Sequence, residues 1–417
     1  MTSCTTKICE GLEITTESEK IQKARTVNLE LLWSDHAGKC VKCKKNRACE
    51  LQKLAEEYKI ENFHFVPRRG ELTSKEENDL LKDNWSRDVF DDKNPAIERD
   101  SQYCVECRRC INICPVASYG FNHRAGDVVV GTPYDEKLDC LFCGACVKHC
   151  PTGALTDQGD ISKVIKELDD VNKLSVAIVD PAIFASVENE VVDVDSLKKL
   201  TGFLRALGFE RVFDLNWGFE KYVEKVVEEI HPHHAKKALA GKKHKLHLSN
   251  FCPSAEIYVK KYYPELIGHI LKTLRPEDLM AEAVKGEYAT QEKINPKNIR
   301  TILISACTSR KKLKGEALDY IITVRELGRI AREKKMEKAE IGNSKLDKFL
   351  GEISGELTNL HQYGLLLQVI NKKIKNDFSS GSANGVMEIK HVLGAELKKE
   401  KHYDFLEMMI CPGGCEK

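Results

Sequence analysis

No stretch of this chain approaches the ~20 consecutive apolar residues that a membrane-crossing helix requires. The N-terminus has no basic segment followed by an apolar one, so a secretory signal is not expected either. A cytoplasmic location is the default expectation. An excess of one charge is also lacking: 65 Lys and Arg face 64 Asp and Glu, a formal net charge of +1. That balance argues against the cationic footprint of a general nucleic-acid binder. No Gly-rich nucleotide fingerprint occurs, so NAD or a flavin would have to be carried by a partner subunit. With 42% hydrophobic and 31% charged residues among 417, the composition is that of an ordinary globular protein. The length allows roughly two to four domains.

Cysteine is what the chain has in quantity. There are 17, thirteen of them at or before Cys150, and only Cys252, Cys307, Cys411 and Cys415 follow. A reducing compartment disfavours a disulfide framework, so clustered thiols point to metal. The strongest pattern is Cys104-x2-Cys107-x2-Cys110-x3-Cys114-Pro115, repeated as Cys140-x2-Cys143-x2-Cys146-x3-Cys150-Pro151. Two intervening residues let a tight loop present three thiolates to three corners of one cube. The fourth ligand then comes from the other run, as in two-cluster bacterial ferredoxins. Cys104, Cys107, Cys110 and Cys150 are therefore expected to hold one [4Fe–4S] cluster. Cys140, Cys143, Cys146 and Cys114 are expected to hold another. Structural zinc uses pairs of Cys-x2-Cys rather than a four-cysteine run repeated, which argues against that alternative.

A second pattern is His36-x3-Cys40-x2-Cys43-x5-Cys49. The segment Ala24–Leu32 before it and Glu50–Ala55 after it both suit helices. One imidazole and three thiolates suit zinc or an iron–sulfur cube, and the ligand types alone do not choose. Between Phe65 and Asp100 the chain turns polar and charged and reads as a connector with some helix, with a turn at Asn94-Pro95.

From about Lys173 short apolar runs alternate with helical stretches. Leu174–Asp180, Arg211–Leu215, Lys245–Leu248 and Thr301–Ser305 read as strands, and Val192–Leu207 and Tyr222–Ile230 as helices. Such alternation implies an α/β domain with a mostly parallel sheet. Sites in such folds lie beyond the carboxyl ends of strands, where Cys252 and Cys307 fall. On their own, four scattered cysteines would read as buried thiols. The basic stretch from Lys236 and Lys237 to Lys245 reads as a solvated connector, with an acidic partner as the alternative. His231, His233 and His234 read as part of a polar turn rather than a metal site.

Local contexts carry more. Asn250-Phe251-Cys252-Pro253, Ser305-Ala306-Cys307-Thr308-Ser309-Arg310-Lys311 and Glu407-Met408-Met409-Ile410-Cys411-Pro412-Gly413-Gly414-Cys415 resemble the three active-site motifs of the iron-only (FeFe) hydrogenases. Arg275–Met280 and Thr323–Leu327 resemble further landmarks of that family, in order. The stretch from Cys4 to about Phe65 resembles its N-terminal part and the large iron–sulfur subunit of respiratory complex I. That resemblance implies a [4Fe–4S] cluster on His36, Cys40, Cys43 and Cys49. It also implies a fourth cube on Cys252, Cys307, Cys411 and Cys415, with Cys415 bridging to a two-iron subsite if one is present. Residues 1–35 resemble the end of a [2Fe–2S] domain whose last ligand matches Cys4; a full set of four ligands is lacking, so Cys4 and Cys9 are expected to be ordinary thiols.

The departures from the family fall on the two-iron chemistry. Phe251 stands where the family has a proton-relaying cysteine, and it has no exchangeable proton. Leu274, next to Arg275, stands where a cyanide-contacting lysine is usual, Ser305-Ala306 replaces Met-Pro, and the sequence ends two residues past Cys415. The expected fold is α+β multidomain: iron–sulfur modules followed by an α/β hydrogenase-like domain. The expected boundaries are 1–35 for a [2Fe–2S] remnant, 36–98 for the His36 cluster domain and connector, 99–160 for the two-cluster ferredoxin domain and 170–417 for the hydrogenase-like domain. The leading expectation is an electron-transfer subunit in a hydrogen-metabolism complex of anaerobic setting, working with a ferredoxin or with NAD(P)H-oxidising or flavin subunits. The alternatives are an active hydrogenase and a non-enzymatic iron–sulfur carrier or assembly factor.

Overall fold

The computed structural model describes residues 6–34, 36, 39–60, 65, 90–119, 121–124, 127–130, 140–184, 196–240, 245–336, 342–351, 357, 360–374 and 378–415. Cys4, most of the charged connector after Phe65 and residues 241–244 lie outside them. The chain forms two compact units: residues 1–86, 102–105 and 151–153 in one, and 87–101, 106–150 and 154–417 in the other.

In the first unit, helix α1 (Glu19–Ser34) runs up to the His36 motif and α2 (Glu50–Glu57) leaves it. Leu51 and Ala55, four residues apart on α2, are its buried residues. They lie on one face of the helix, as the 3.6-residue period requires.

The second unit opens with β1 (Phe90–Asp91) and β2 (Ile97–Asp100), an antiparallel pair. The cysteine runs follow, each closing in one helical turn: α3 (Arg109–Ile113) and α4 (Ala145–His149). Between them lies the antiparallel hairpin β3 (Phe121–Arg124) and β4 (Asp127–Val130). Strand β5 (Leu155–Asp157) then pairs with β2.

The α/β part follows. Helix α5 (Ile161–Leu168) leads into β6 (Leu174–Val179), α6 (Leu197–Leu207), β7 (Arg211–Asp214), α7 (Asn216–Ala240) and β8 (His247–Leu248). Then come α8 (Pro253–Tyr262), α9 (Pro276–Ala283), β9 (Ile299–Ser305), β10 (Tyr320–Thr323) and α10 (Val324–Glu333). The chain closes with α11 (Leu365–Lys373), β11 (Ser380–Asn384), α12 (Val386–Leu397) and β12 (Phe405–Met409). Two parallel sheets result, with strand orders β10-β9-β6-β7 and β11-β12-β8.

The apolar run Val176–Val179 in β6 is explained by burial on both faces. Val176 and Ile178 enter the core shared with α7, α8 and α9. Ala177 and Val179 enter the core shared with α5, α6 and α10. The first of these cores also takes in Leu141 from the second cysteine run.

The four strands read from the sequence are present. The helix expected at Val192–Leu207 begins at Leu197, with Ser196 as its N-cap accepting from the Lys199 N–H at 3.3 Å. Two expectations are corrected. His231, His233 and His234 belong to α7 rather than to a turn, and Lys236 and Lys237 continue that helix rather than forming a connector. No breaker interrupts Ala235–Ala240, so the helix propagates through the basic residues.

Candidate metal centres

In the first unit His36 follows α1 directly, its N–H bonded to the Trp33 carbonyl at 2.9 Å, and the imidazole is buried. Cys40 opens a short 3₁₀ turn, and the Cys43 N–H closes it on the Cys40 carbonyl at 3.0 Å. Cys49 caps the N-terminus of α2 in extended conformation. All four residues line one cavity together with Trp33, Leu51 and Gly153. Gly153 is required there: a Cβ on it would lie 2.5 Å from Cys43 Sγ. Burial pushes the Cys40 and Cys43 thiols up, and the neighbouring Cys49 adds to it.

In the second unit the sequence repeat is repeated in the backbone. Glu106 and Phe142, each two residues past the first cysteine of its run, have φ of 58° and 57°. Arg108 and Gly144, four past it, have φ of 61° and 73°. These left-handed positions fold each Cys-x2-Cys-x2-Cys segment into a loop before α3 and α4, whose C-caps are the fourth cysteines, Cys114 and Cys150. Successive left-handed turns aim backbone N–H groups into a concavity suited to an anionic cluster. The Phe142 N–H donates to Cys140 Sγ at 3.3 Å and the Ser118 N–H to Cys114 Sγ at 3.2 Å. The Tyr119 hydroxyl donates to Cys146 Sγ at 3.1 Å. Cys114, Cys140, Cys143 and Cys146 line a single cavity. Burial pushes Cys143 up to about 12, with Cys140 and Cys114 adding to it, and pushes Cys146 up well beyond an ordinary thiol. Cys107 is pushed up by burial, and the nearby Cys150 adds to the rise.

In the α/β part three candidate ligands stand just past the carboxyl ends of parallel strands: Cys252 after β8, Cys307 after β9 and Cys411 after β12. Cys252 also precedes Pro253 at the start of α8, a position where proline costs no hydrogen bond. Cys415 is reached through Gly413 and Gly414, with φ of 81° and 100°. A Cβ on Gly414 would lie 2.9 Å from the His361 carbonyl oxygen, and the Cys415 N–H donates to that same oxygen at 3.1 Å. Asn384 pins the loop from both sides, donating to the Cys411 carbonyl at 2.7 Å and accepting from the Gly413 N–H at 2.6 Å. Burial first, and then the other three thiols, push Cys415 far up, and Cys411 feels both Cys252 and Cys307. The loop of the second run also meets that of the second motif: a Cβ on Gly144, next to Cys143, would lie 2.3 Å from Thr308 Oγ1, next to Cys307.

Beside this thiol group lies a buried ion cluster that the sequence reading did not assign. Arg310 pairs with Glu277, lies 3.7 Å from Asp180, and stacks 5.7 Å from the Phe251 ring. Phe251 is buried against Phe219 and Tyr222. Leu274 is 42% exposed, while Arg275 is tied to Glu256 and to the Asn250 carbonyl. The signal for Arg310 was its place inside the second motif, but only the fold brings Glu277 and Asp180 to it.

A second network joins the cysteine runs to the α/β part. Asp157 on β5 accepts from Arg325 Nε at 2.6 Å, from Thr308 at 2.8 Å and from Thr323 at 3.0 Å. Thr323 and Glu326 form a capping box at the start of α10, which explains the Thr-x-x-Glu spacing. Among the described residues no three His, Cys, Asp or Glu side chains converge closely enough to hold a single metal ion.

The donor sets fit iron–sulfur cubes. They are thiol-rich and, apart from the exposed Cys107, partly or fully buried, and N–H groups of their loops face sulfur, as cubes held by thiolates and tuned by hydrogen bonds need. Three family models match the chain. "Iron only hydrogenase large subunit, C-terminal domain" covers residues 173–417, "NADH-ubiquinone oxidoreductase-G iron-sulfur binding region" covers 25–64, and "4Fe-4S dicluster domain" covers 103–155. Iron hydrogenase 1 of Clostridium pasteurianum is 25% identical over 100% of this chain and 78% of its own. The NADP-reducing hydrogenase subunit HndD of Solidesulfovibrio fructosivorans is 26% identical over 99% and 76%. A Chlamydomonas reinhardtii [FeFe]-hydrogenase structure superimposes with a TM-score of 0.51 at 21% identity, covering 62% of this chain and 83% of its own, which shows the fold.

Proposed function

The chain belongs to the iron-only hydrogenase large-subunit family, and on that premise we propose that it is an electron-relay subunit that does not turn over hydrogen. His36, Cys40, Cys43 and Cys49 would hold one [4Fe–4S] cluster. Cys104, Cys107, Cys110 and Cys150 would hold a second, Cys140, Cys143, Cys146 and Cys114 a third, and Cys252, Cys307, Cys411 and Cys415 a fourth. The segments carrying these sets would be 36–98, 99–160 and 170–417. Each cluster, when bound, cycles by one electron.

The observation that carries the relay is the close approach of Gly144, next to Cys143, to Thr308, next to Cys307: a Cβ on that glycine would lie 2.3 Å from the threonine Oγ1. Cys143 also packs against the core that contains Cys252. The chain's part is to fix that spacing. The Asp157–Arg325–Thr308 network holds the two segments together, and Leu141, Phe251 and their neighbours exclude water. Donors such as Tyr119 and the Phe142 N–H face the sulfurs and would raise the potentials of the clusters they touch.

Phe251 supports the absence of turnover. It fills the relay position with an apolar ring against Arg310, so no acid–base group stands next to Cys252 at that point. Kinship with a NADP-reducing hydrogenase subunit supports a hetero-oligomer in which NAD(P)H-oxidising or ferredoxin-type partners supply the electrons.

Infrared spectroscopy and iron analysis on anaerobically reconstituted protein test this reading. It expects about sixteen irons per chain, as four cubes imply, with no bands from metal-bound CO or cyanide and no hydrogen uptake with a dye acceptor. Such bands together with uptake would establish the active hydrogenase instead.

A further inference from the structure

One buried cationic donor of the α/β part has no acceptor among the described residues. Arg310 is 2% exposed and belongs to the 3₁₀ turn Thr308–Leu313, which Cys307 caps. Its Nη1 donates to Glu277 at the start of α9, and its Nη2 lies 3.7 Å from Asp180, just past β6. Its Nε is buried and unpaired. An arginine side chain keeps its charge in a protein, and a buried polar atom of this kind marks the place of an acceptor. The turn indicates which acceptor. Side chains three residues apart in a 3₁₀ turn eclipse each other, so Arg310 stands on the side of Cys307. The Ser309 hydroxyl lies 3.1 Å from Cys307 Sγ. Once that sulfur ligates as a thiolate, only the hydroxyl holds a proton, so Ser309 is the donor. Arg310 also lies 5.7 Å from the ring of Phe251, the residue before Cys252. Asp180 accepts from the Ser305 hydroxyl at 2.8 Å, and Ser305 accepts from the Cys307 N–H at 3.1 Å. One carboxylate thus ties the guanidinium and the ligand loop together and sets their spacing.

We infer that Arg310 gives its Nε–H to sulfur of the cluster held by Cys252, Cys307, Cys411 and Cys415, and that this contact raises the potential of that cluster. The argument is electrostatic. A cube becomes more negative by one charge on reduction. A charge-assisted donor facing its sulfur stabilises the reduced form more than the oxidised one. Glu277 and Asp180 oppose the field of the cation, but they also hold the two Nη atoms and so leave Nε for sulfur. The guanidinium keeps its proton throughout, and no bond changes; only the one-electron equilibrium shifts. An electron arriving from the third cluster then rests preferentially on the fourth, and Ser309 works in the same direction from the same turn. The inference rests on the reading that these four thiols hold a cube.

The test is a redox titration of the full chain, reconstituted without oxygen and followed by electron paramagnetic resonance. The fourth cluster is the signal that disappears in Cys307→Ser. In Arg310→Gln the reduced-to-oxidised ratio of that signal at fixed potential should fall roughly tenfold, which is about 59 mV for a one-electron couple. The other three signals should titrate as in wild type. Arg310→Lys, which keeps a cation for Glu277 but loses the planar fork, should fall between the two. Glu277→Gln keeps the guanidinium and removes an opposing acid, so it should shift the same signal the other way. Ser309→Ala should lower it. Arg310→Gln leaves Glu277 buried without its cation; if that variant does not fold, Arg310→Lys and Glu277→Gln still decide. A fourth signal that stays in place in the Arg310 variants with their iron intact would overturn the inference. So would equal shifts of all four signals, which would mean a general loosening. Failure of the relay reading looks different: the wild type would hold less iron than four cubes need, and Cys307→Ser would remove no signal.

Discussion

Gly144 shows how a single residue is fixed by two requirements of unequal weight. Its φ is 73°, but the first repeat places Arg108 at 61° in the same position, so the backbone tolerates a side chain. Thr308 does not: a Cβ on Gly144 would lie 2.3 Å from its Oγ1. Gly144→Ala should cost about 1–3 kcal/mol from overpacking, on top of about 1–2 kcal/mol of left-handed strain. Thermal unfolding should show the loss, and the Thr308→Ala partner substitution should restore part of it. Arg325 is the second such residue. Burial pushes the Asp157 carboxyl up, but the charge and hydrogen bonds of Arg325 outweigh it and hold the group down at about 2. A carboxyl lowered from 3.8 contributes stability above that ordinary value and loses it as pH falls toward 2. Arg325→Met would leave Asp157 buried without its main partner, at a cost of about 3–5 kcal/mol. A denaturant midpoint unchanged at pH 7 in that variant would contradict the pairing.

At the scale of elements, β12 carries a buried acid. Glu407 faces the start of α11, accepting from the Leu367 N–H at 3.2 Å, and burial pushes it up to about 7. The sign is the reverse of Asp157. Between the ordinary value of 4.5 and about 7 the unfolded chain ionises this group while the folded one keeps its proton. Stability is therefore lost as pH rises through that window. Glu407→Gln keeps an acceptor for the N–H and removes the titration, so its stability relative to wild type should grow from about pH 5 to 8. Denaturant unfolding at several pH values reads the difference. In β6, Ile178→Ala should cost about 2–5 kcal/mol, because the strand is packed on both faces and the hole is slow to collapse. The same two-sided burial made β6 legible in the sequence through its apolar run Val176–Val179, as Ile302–Ile304 did for β9. Strand β11, Ser380–Asn384, was not legible: Ser-Gly-Ser-Ala-Asn has almost no strand propensity and is held by pairing with β12. The continuation of α7 past Ile230 was hidden by its histidines and lysines, which read as solvent-facing chain.

For the whole molecule, the candidate ligands were legible because spacing is a local property. The Cys-x2-Cys-x2-Cys-x3-Cys-Pro repeat states its own geometry, down to the matching left-handed positions in both halves. What was not legible is anything assembled from distant segments, such as Arg310 with Glu277 and Asp180, or Asp157 with Arg325. Those pairs are 33 to 168 residues apart in sequence, and no pattern links them. Removing one distant ligand tests the fourth set at this scale. Cys307→Ser should lower the iron content by about four per chain, one cube's worth, and leave the rest in place. A full iron complement in that variant would show that Cys307 holds no cluster. The proximity of Gly144 to Thr308 reaches further than stability. It makes the segment carrying the two cysteine runs a poor cassette for exchange. A chimera that grafts the equivalent stretch of a relative onto this chain would transplant its cubes intact, yet fit only if the donor brought a residue without a side chain to that loop and an acid opposite Arg325.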